Sequence, residues 1–160
     1  MSSPETSGPQ PAIRRATAAD RAAIERLVTG SGLLADGIPE WIDHFWVADA
    51  SGAVVAVAGL ELYEDGALLR SVAVAEDRRG TGVGRTLVER ALGAAGTSSD
   101  AVFLLTTTAA PWFRRLGFDT VARSDVPESV RRSSQFRGAC PDSATVMRRR
   151  LDAAPTTPPR

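Results

Sequence analysis

The chain has 160 residues, 43% of them hydrophobic, which is one domain's length and enough apolar material for a core. Nineteen basic residues balance nineteen acidic ones, so no net positive field gathers nucleic acid, and the absence of lysine excludes the Gly-Lys-Ser/Thr ending of a P-loop. The single cysteine, Cys140, excludes an intrachain disulfide and fits a reducing, cytoplasmic compartment, and no apolar run approaches the length of a membrane span.

Residues 1–11 are rich in Ser, Pro and Gly and lack the apolar centre of a secretion signal. Residues 152–160 are rich in Pro and Thr. Both ends read as disordered tails around one domain over residues 12–151. Ala12 to Ala16 reads as a short strand. Thr17 is placed to cap a helix over Ala18 to Val28, with Ile24, Leu27 and Val28 on its apolar side. A loop over Gly30 to Gly37 and a short helical turn over Ile38 to Ile42 follow. Phe45 to Ala48 and Ala53 to Tyr63 read as strands around the turn Asp49-Ala-Ser-Gly52. Asp65-Gly66 is a hairpin signal leading into a strand over Ala67 to Ala75.

After that strand come Gly80, Gly82 and Gly84, and then a helix from about Gly84 to Ala95, ended by Gly96, whose buried stripe is Leu87, Val88, Ala91, Leu92 and Ala95. Val102 to Thr106 is the next strand. Pro111 opens a short helix through Leu116, Gly117 ends it, and Phe118 to Ala122 is extended again. Pro127 starts a short helix through Phe136, and Ser143 to Leu151 reads as the last strand. An antiparallel meander followed by strand–helix–strand units predicts an α/β (α+β) fold: a mixed, mostly antiparallel sheet flanked by helices.

The turn between the fourth strand and its helix carries chemistry. Glycine lets the backbone take left-handed dihedrals and lets amides approach a ligand closely. The first amides of the helix lack intrahelical partners and sit at the positive end of its dipole, so the turn is an anion site suited to phosphate. A dinucleotide fingerprint is excluded, because Arg85 stands where its third glycine would be.

What remains, Arg79-x-x-Gly82-x-Gly84 after Val72-Ala-Val74, resembles the acetyl-coenzyme A loop of the GNAT superfamily of N-acetyltransferases. The resemblance implies a sheet splayed between its fourth and fifth strands, with acetyl-CoA as cosubstrate and no metal. It implies that Arg79, Gly80, Thr81, Gly82, Val83, Gly84 and Arg85 hold the pyrophosphate. The backbone of Val72, Ala73 and Val74 would hold the pantetheine arm. Leu105-Thr-Thr-Thr to Gly117-Phe118 looks like the late motif of these enzymes, with a flavour similar to N-acetylglutamate synthase acetyltransferase domains. Val126-Pro-Glu through Cys140 to Met147 looks like a GNAT branch encoded in arsenic-resistance operons. Three positions depart from the family pattern. Phe113 stands where many members carry a tyrosine acid, Arg70 where many carry a carboxylate, and Thr107 where a pantetheine-contacting asparagine is common.

A two-residue turn at Asp65-Gly66 sets Glu64 opposite Ala67 and Glu61 opposite Arg70, which places the last two on one face, in reach of each other. Arg70 then has the planar fork to hold a substrate carboxylate, and Glu61 is a base for the acceptor amine or an orienting partner of Arg70. The same pair equally makes a plain cross-strand salt bridge. His44 and Cys140 read as structural. The reading is a cytoplasmic enzyme that acetylates the amine of a small amino-acid-like molecule, an amino acid or an arsenic-bearing analogue, by direct transfer in a ternary complex. Another amine, such as an antibiotic, and a non-catalytic acetyl-CoA sensor are the alternatives. The partners expected are a small-molecule amine, no nucleic acid, no membrane and, from the family's habit of pairing, a homodimer.

Overall fold

The structure, a computed structural model, describes residues 10–96, 99–139 and 144–151. Cys140, and the expected tails apart from residues 10 and 11, lie outside these. Seven strands form one sheet: β1 (Ala12–Arg15), β2 (Phe45–Ala50), β3 (Ala53–Tyr63), β4 (Gly66–Val74), β5 (Ala101–Thr106), β6 (Asp119–Val121) and β7 (Thr145–Arg150). Their spatial order is β1-β2-β3-β4-β5-β7-β6, antiparallel throughout except where β4 meets β5. The helices are α1 (Arg21–Gly30), α2 (Ile38–Trp41), α3 (Val83–Ala95), α4 (Ala110–Arg115) and α5 (Glu128–Arg131). No helix among the described residues is long and apolar enough to cross a membrane.

The period-two alternation of the strands sorts the core onto two faces. Ala58, Leu60, Leu69 and Leu104 point to one face and pack with Leu87, Val88, Ala91 and Leu92 of α3 and Phe113 of α4. Val57, Ala73, Phe45 and Val47 point to the other and pack with Ile24 and Val28 of α1 and Ile38 of α2. Farther along that second face, Leu68, Phe103 and Val146 pack with Val126 and Val130. The predicted stripe of α3 is buried as expected, each large side chain in it stabilising by about 1.5–3 kcal/mol.

Three expectations need correction. The β3–β4 turn is Glu64-Asp65, because Tyr63 pairs with Gly66. Gly66 is not left-handed. It is a strand residue whose missing Cβ leaves room for the Phe103 ring at 3.2 Å, and Asp65 is tied to Ser129 of α5 through both its N–H and its carboxylate. The register therefore shifts: Glu61 lies opposite Leu68, and Arg70 lies opposite Gly59. Finally, the helix expected over Pro127 to Phe136 stops at Arg131, and a π-helical turn over Gln135–Ala139 follows.

Two features of β4 shape the site. Its parallel ladder with β5 consists of Ala67↔Val102 and Leu68↔Phe103. Beyond Leu68, β4 runs on to Val74 unpaired with β5, whose other edge stays paired with β7 throughout, so the sheet is open along this seam. In addition, Gly59 pairs with Arg70 while Val57 pairs with Ala73, so the single residue Ala58 faces both Ser71 and Val72. That is a β-bulge. The extra residue resets the alternation, so Val72 and Val74 turn to the α3 face, while Arg70 and Ala73 point to the opposite face.

Candidate active site

The glycine turn is built from backbone geometry. Gly80 (φ 81°) and Gly82 (φ 88°) are left-handed, and Gly82 caps α3. A Cβ on either would meet nothing within 4 Å, so the space before them is open. Gly84 is needed for a different reason: its Cβ would stand 3.1 Å from Val74 and 3.4 Å from Trp112, so its absence lets α3 close onto β4 and α4. The first internal bond of α3 runs from the Thr86 N–H to the Gly82 carbonyl, at 3.1 Å. The amides of Val83, Gly84 and Arg85 precede it and point out of the helix end. Arg79 donates from Nε to the Val74 carbonyl (3.1 Å), Thr81 donates to the Arg78 carbonyl (2.6 Å), and both stiffen the turn. An extended, phosphate-bearing ligand fits this arrangement, with amides and open space at the helix end and an unpaired β4 edge leading inward.

The remaining cofactor candidates are scattered around the same region. Val72 and Val74 are half-buried, and Ala73 is buried. Thr107 is exposed just past the end of β5. Phe113 is buried, with its ring edge-on to Trp112 (4.9 Å) and Phe118 (5.8 Å). Arg85 lies in an open groove of about 650 Å³ on the outer side of α3, shared with Trp46 and Arg90 and turned toward the β1–β2 edge.

On the opposite face, between the α1–α2 and α5 core clusters, lies a buried polar cluster. Arg70 donates from Nη1 to Glu61 Oε2 at 2.7 Å, and both side chains are only 1% exposed. The structure thus brings the two predicted residues together, but as diagonal neighbours across the hairpin rather than a directly opposed pair; a long side chain spans that distance. Arg70 also donates from Nε to Ser71 Oγ (2.9 Å) and from Nη2 to the Leu34 carbonyl (3.3 Å). Gly37, left-handed at φ 85°, leaves room for it: a Cβ there would stand 2.8 Å from Nη1. The loop between α1 and α2 therefore closes over the guanidinium.

Two residues of this cluster were missed in the sequence. Tyr63, the chain's single tyrosine, donates its hydroxyl to Glu61 Oε1 at 2.5 Å. Burial, and then the hydrogen bond to anionic Glu61, push the phenol well above its usual range, so it stays protonated and remains a donor. The signal was present: Glu61 and Tyr63 are two apart on one strand and share a face. Ser71 is left-handed at φ 57°, a conformation that costs a non-glycine residue roughly 1–2 kcal/mol, and it sits in the bulge. Serine is no marker of such a conformation, so nothing in the sequence points to it.

His44 lies in a 3-10 turn before β2, its ring 5.9 Å from that of Trp41. Among the described residues there is no grouping of three His, Cys, Asp or Glu side chains that could hold a metal ion.

A mixed sheet opened beside a parallel seam, with a glycine-capped helix end over the opening, has the shape to receive an extended, phosphate-bearing ligand. A profile of the acetyltransferase (GNAT) domain matches residues 41–120, and an uncharacterized N-acetyltransferase of Chlorobaculum tepidum is 32% identical over 146 residues, covering 84% of this chain and 94% of that protein. The chain belongs to the GNAT family and is an N-acetyltransferase of that class. An amino-acid acetyltransferase of Mycobacterium tuberculosis is 34% identical over 132 residues, 76% of this chain and 75% of that one. A Mycobacterium tuberculosis protein solved in complex with CoA and a second ligand superposes with a TM-score of 0.75 at 27% identity, over 88% of this chain and 99% of the other. The N-acetylglutamate synthase of Neisseria gonorrhoeae, complexed with coenzyme A and N-acetyl-glutamate, superposes with a TM-score of 0.76 at 23% identity, a likeness of fold; this chain covers 35% of that longer protein.

Proposed function

We propose that this chain transfers the acetyl group of acetyl-CoA directly to the amine of a small amino-acid-like molecule, a free amino acid or an arsenic-bearing analogue, within a ternary complex. The observation that carries this reading is the opened β4–β5 seam, which has the glycine turn and α3 amides at one end and the buried Glu61–Arg70–Tyr63 cluster on the adjoining face. The 34% identical relative named as an amino-acid acetyltransferase and the 27% identical protein solved with CoA support it.

Acetyl-CoA supplies an activated acetyl group as a thioester; the neutral amine attacks its carbonyl carbon, the C–S bond breaks to release the thiolate, and the proton of the acylated nitrogen passes to water. The chain's part is to hold and to aim. The amides of Val83, Gly84 and Arg85, with Gly80, Thr81, Gly82 and Arg79 around them, grip the pyrophosphate. The free edge of Val72, Ala73 and Val74 aligns the pantetheine and offers a backbone N–H to the carbonyl oxygen as negative charge gathers there. Thr107 and Phe113 border the far side of the seam. Phe113 has no proton to give, so solvent protonates the thiolate, a fairly stable anion. Much of the rate then comes from positioning. Glu61 and Arg70 lie buried beneath β4 on the acceptor side.

Thiol release from acetyl-CoA, measured across a panel of amino acids, arsenic-bearing amino-acid analogues, polyamines and aminoglycosides, tests the reading. Amino-acid-like amines are expected to stimulate release and to give the N-acetylated product by mass spectrometry, with no acetylated enzyme, Cys140 included. Binding of acetyl-CoA without release on any amine would overturn it in favour of a sensor.

A further inference from the structure

We propose that Arg70 is a positioning residue for acyl transfer: its guanidinium pins Ser71 in the left-handed conformation that makes the β4 bulge, and the bulge turns the following strand edge into the opened seam. This rests on the reading above that β4 carries the thioester.

Ser51 and Ser71 are the non-glycine residues with positive φ among those described. Ser51 is explained by its hairpin: Ser51 (φ 54°) and Gly52 (φ 95°) form the two-residue connection between β2 and β3, where both central residues are required to be left-handed. Ser71 has no turn to explain it. It lies inside β4, opposite Ala58, at the point where one extra residue redirects Val72 and Val74. A strained residue persists only when its surroundings over-determine it. The group doing so is Arg70, whose Nε donates to Ser71 Oγ at 2.9 Å, both residues being buried.

The guanidinium itself cannot swing. Nη1 is held by Glu61 at 2.7 Å, Nη2 by the Leu34 carbonyl at 3.3 Å, and Glu61 is held from its other oxygen by Tyr63 at 2.5 Å. A planar fork with its donors in fixed directions reaches Glu61 and Ser71 at once; a lysine ammonium, a point charge at the end of its stem, does not. A buried ion pair is weak evidence for stability, and this one asks for another purpose. With a side chain 1% exposed and donors already engaged on three sides, Arg70 is arranged to hold the strand rather than to meet the acceptor.

The test compares Ser71→Ala, Ser71→Gly, Arg70→Lys and the double variant Arg70→Lys/Ser71→Gly. Alanine keeps the dihedral penalty and loses the pin; glycine loses both. The expectation is that kcat falls about tenfold further in Ser71→Ala than in Ser71→Gly, with acceptor KM moving little, and that Ser71→Gly recovers kcat lost in Arg70→Lys. A hydroxyl that touches the reacting atoms would make the alanine and glycine variants equally poor, and an arginine that grips the acceptor would raise acceptor KM in Arg70→Lys with no rescue by glycine. Either result overturns the proposal. Backbone chemical shifts give a readout independent of turnover: residue 71 should leave the left-handed region in Ser71→Ala and Arg70→Lys. A left-handed residue 71 in both variants would sink the pin even if no acceptor is ever found. A wild-type chain that shows the pin by these shifts but acetylates nothing would instead sink the functional reading.

Discussion

Gly82 has φ 88° and open space where a side chain would stand. A Cβ at this position would meet no atom within 4 Å outside its chain neighbours, but Gly82→Val would carry a left-handed β-branched residue and put two methyl groups beside the α3 amides, where the pyrophosphate is proposed to bind. Calorimetry with CoA should show affinity falling more than about tenfold, while thermal unfolding stays cooperative. Unchanged affinity in a folded variant would falsify the assignment of the turn to the cofactor. Three glycines at alternate positions look equivalent in the sequence, and the structure separates them: two supply dihedrals and Gly84 supplies closeness. The turn was legible because it is local, with strand, glycines and helix contiguous. The Arg70 environment was legible only in part. The Leu34 carbonyl, Gly37 and the bulge at Ser71 come to Arg70 from segments that no local pattern connects.

Strand identity was readable from alternation; register was not. β3 falls on Ala53–Tyr63 as expected, since its apolar run is long and bounded by turn residues. The hairpin signal at Asp65-Gly66 misled because Gly66 is there to pack under Phe103. A shift of one residue at the turn then changed which residue opposes Arg70; the bulge begins only beyond that pair. That residue is Gly59, and its glycine has a packing reason: a Cβ would stand 2.3 Å from the Phe45 ring, which lies across the strand. Phe45 is fully buried, so the ring has nowhere to retreat. Gly59→Ala should destabilise the fold by about 2–3 kcal/mol, read from chemical denaturation. Trimming the ring in Gly59→Ala/Phe45→Leu should recover part of that loss. A Gly59→Ala midpoint equal to wild type would mean that Phe45 moves freely and that the β2–β3 packing is looser than described.

At the scale of the molecule, β1 is a four-residue edge strand and needs anchoring beyond its ladder. Arg14 provides it, binding Asp20 with two donors (2.8 and 3.0 Å) and Asp49 with two (both 3.1 Å), so that β1, the turn into α1 and the end of β2 meet on one guanidinium. The Asp20 carboxylate also accepts the Thr17 N–H at 2.8 Å. The hydrogen bond from Arg14, and then that from Thr17, outweigh burial and hold the Asp20 carboxyl down at about 2. In the unfolded chain the same carboxyl titrates near its ordinary value of 3.8. Because the folded value is the lower one, the unfolded state takes up the proton first as the pH drops. The contribution of this group is fully present above about pH 5 and is lost as the pH falls from about 4 through 2. Arg14 is 38% exposed, so solvent screening keeps the total to roughly 1–2 kcal/mol. Asp20→Asn should lose that amount at pH 7. Its stability gap from wild type should narrow as the pH falls below about 4 and close only below about pH 2, where the native carboxylate is itself protonated. Urea denaturation at pH 7, 5, 4, 3 and 2 measures the gap. A gap that stays constant with pH would show that Asp20 acts as a neutral hydrogen-bond acceptor, and that the N-terminal edge is held without the charge on its carboxylate.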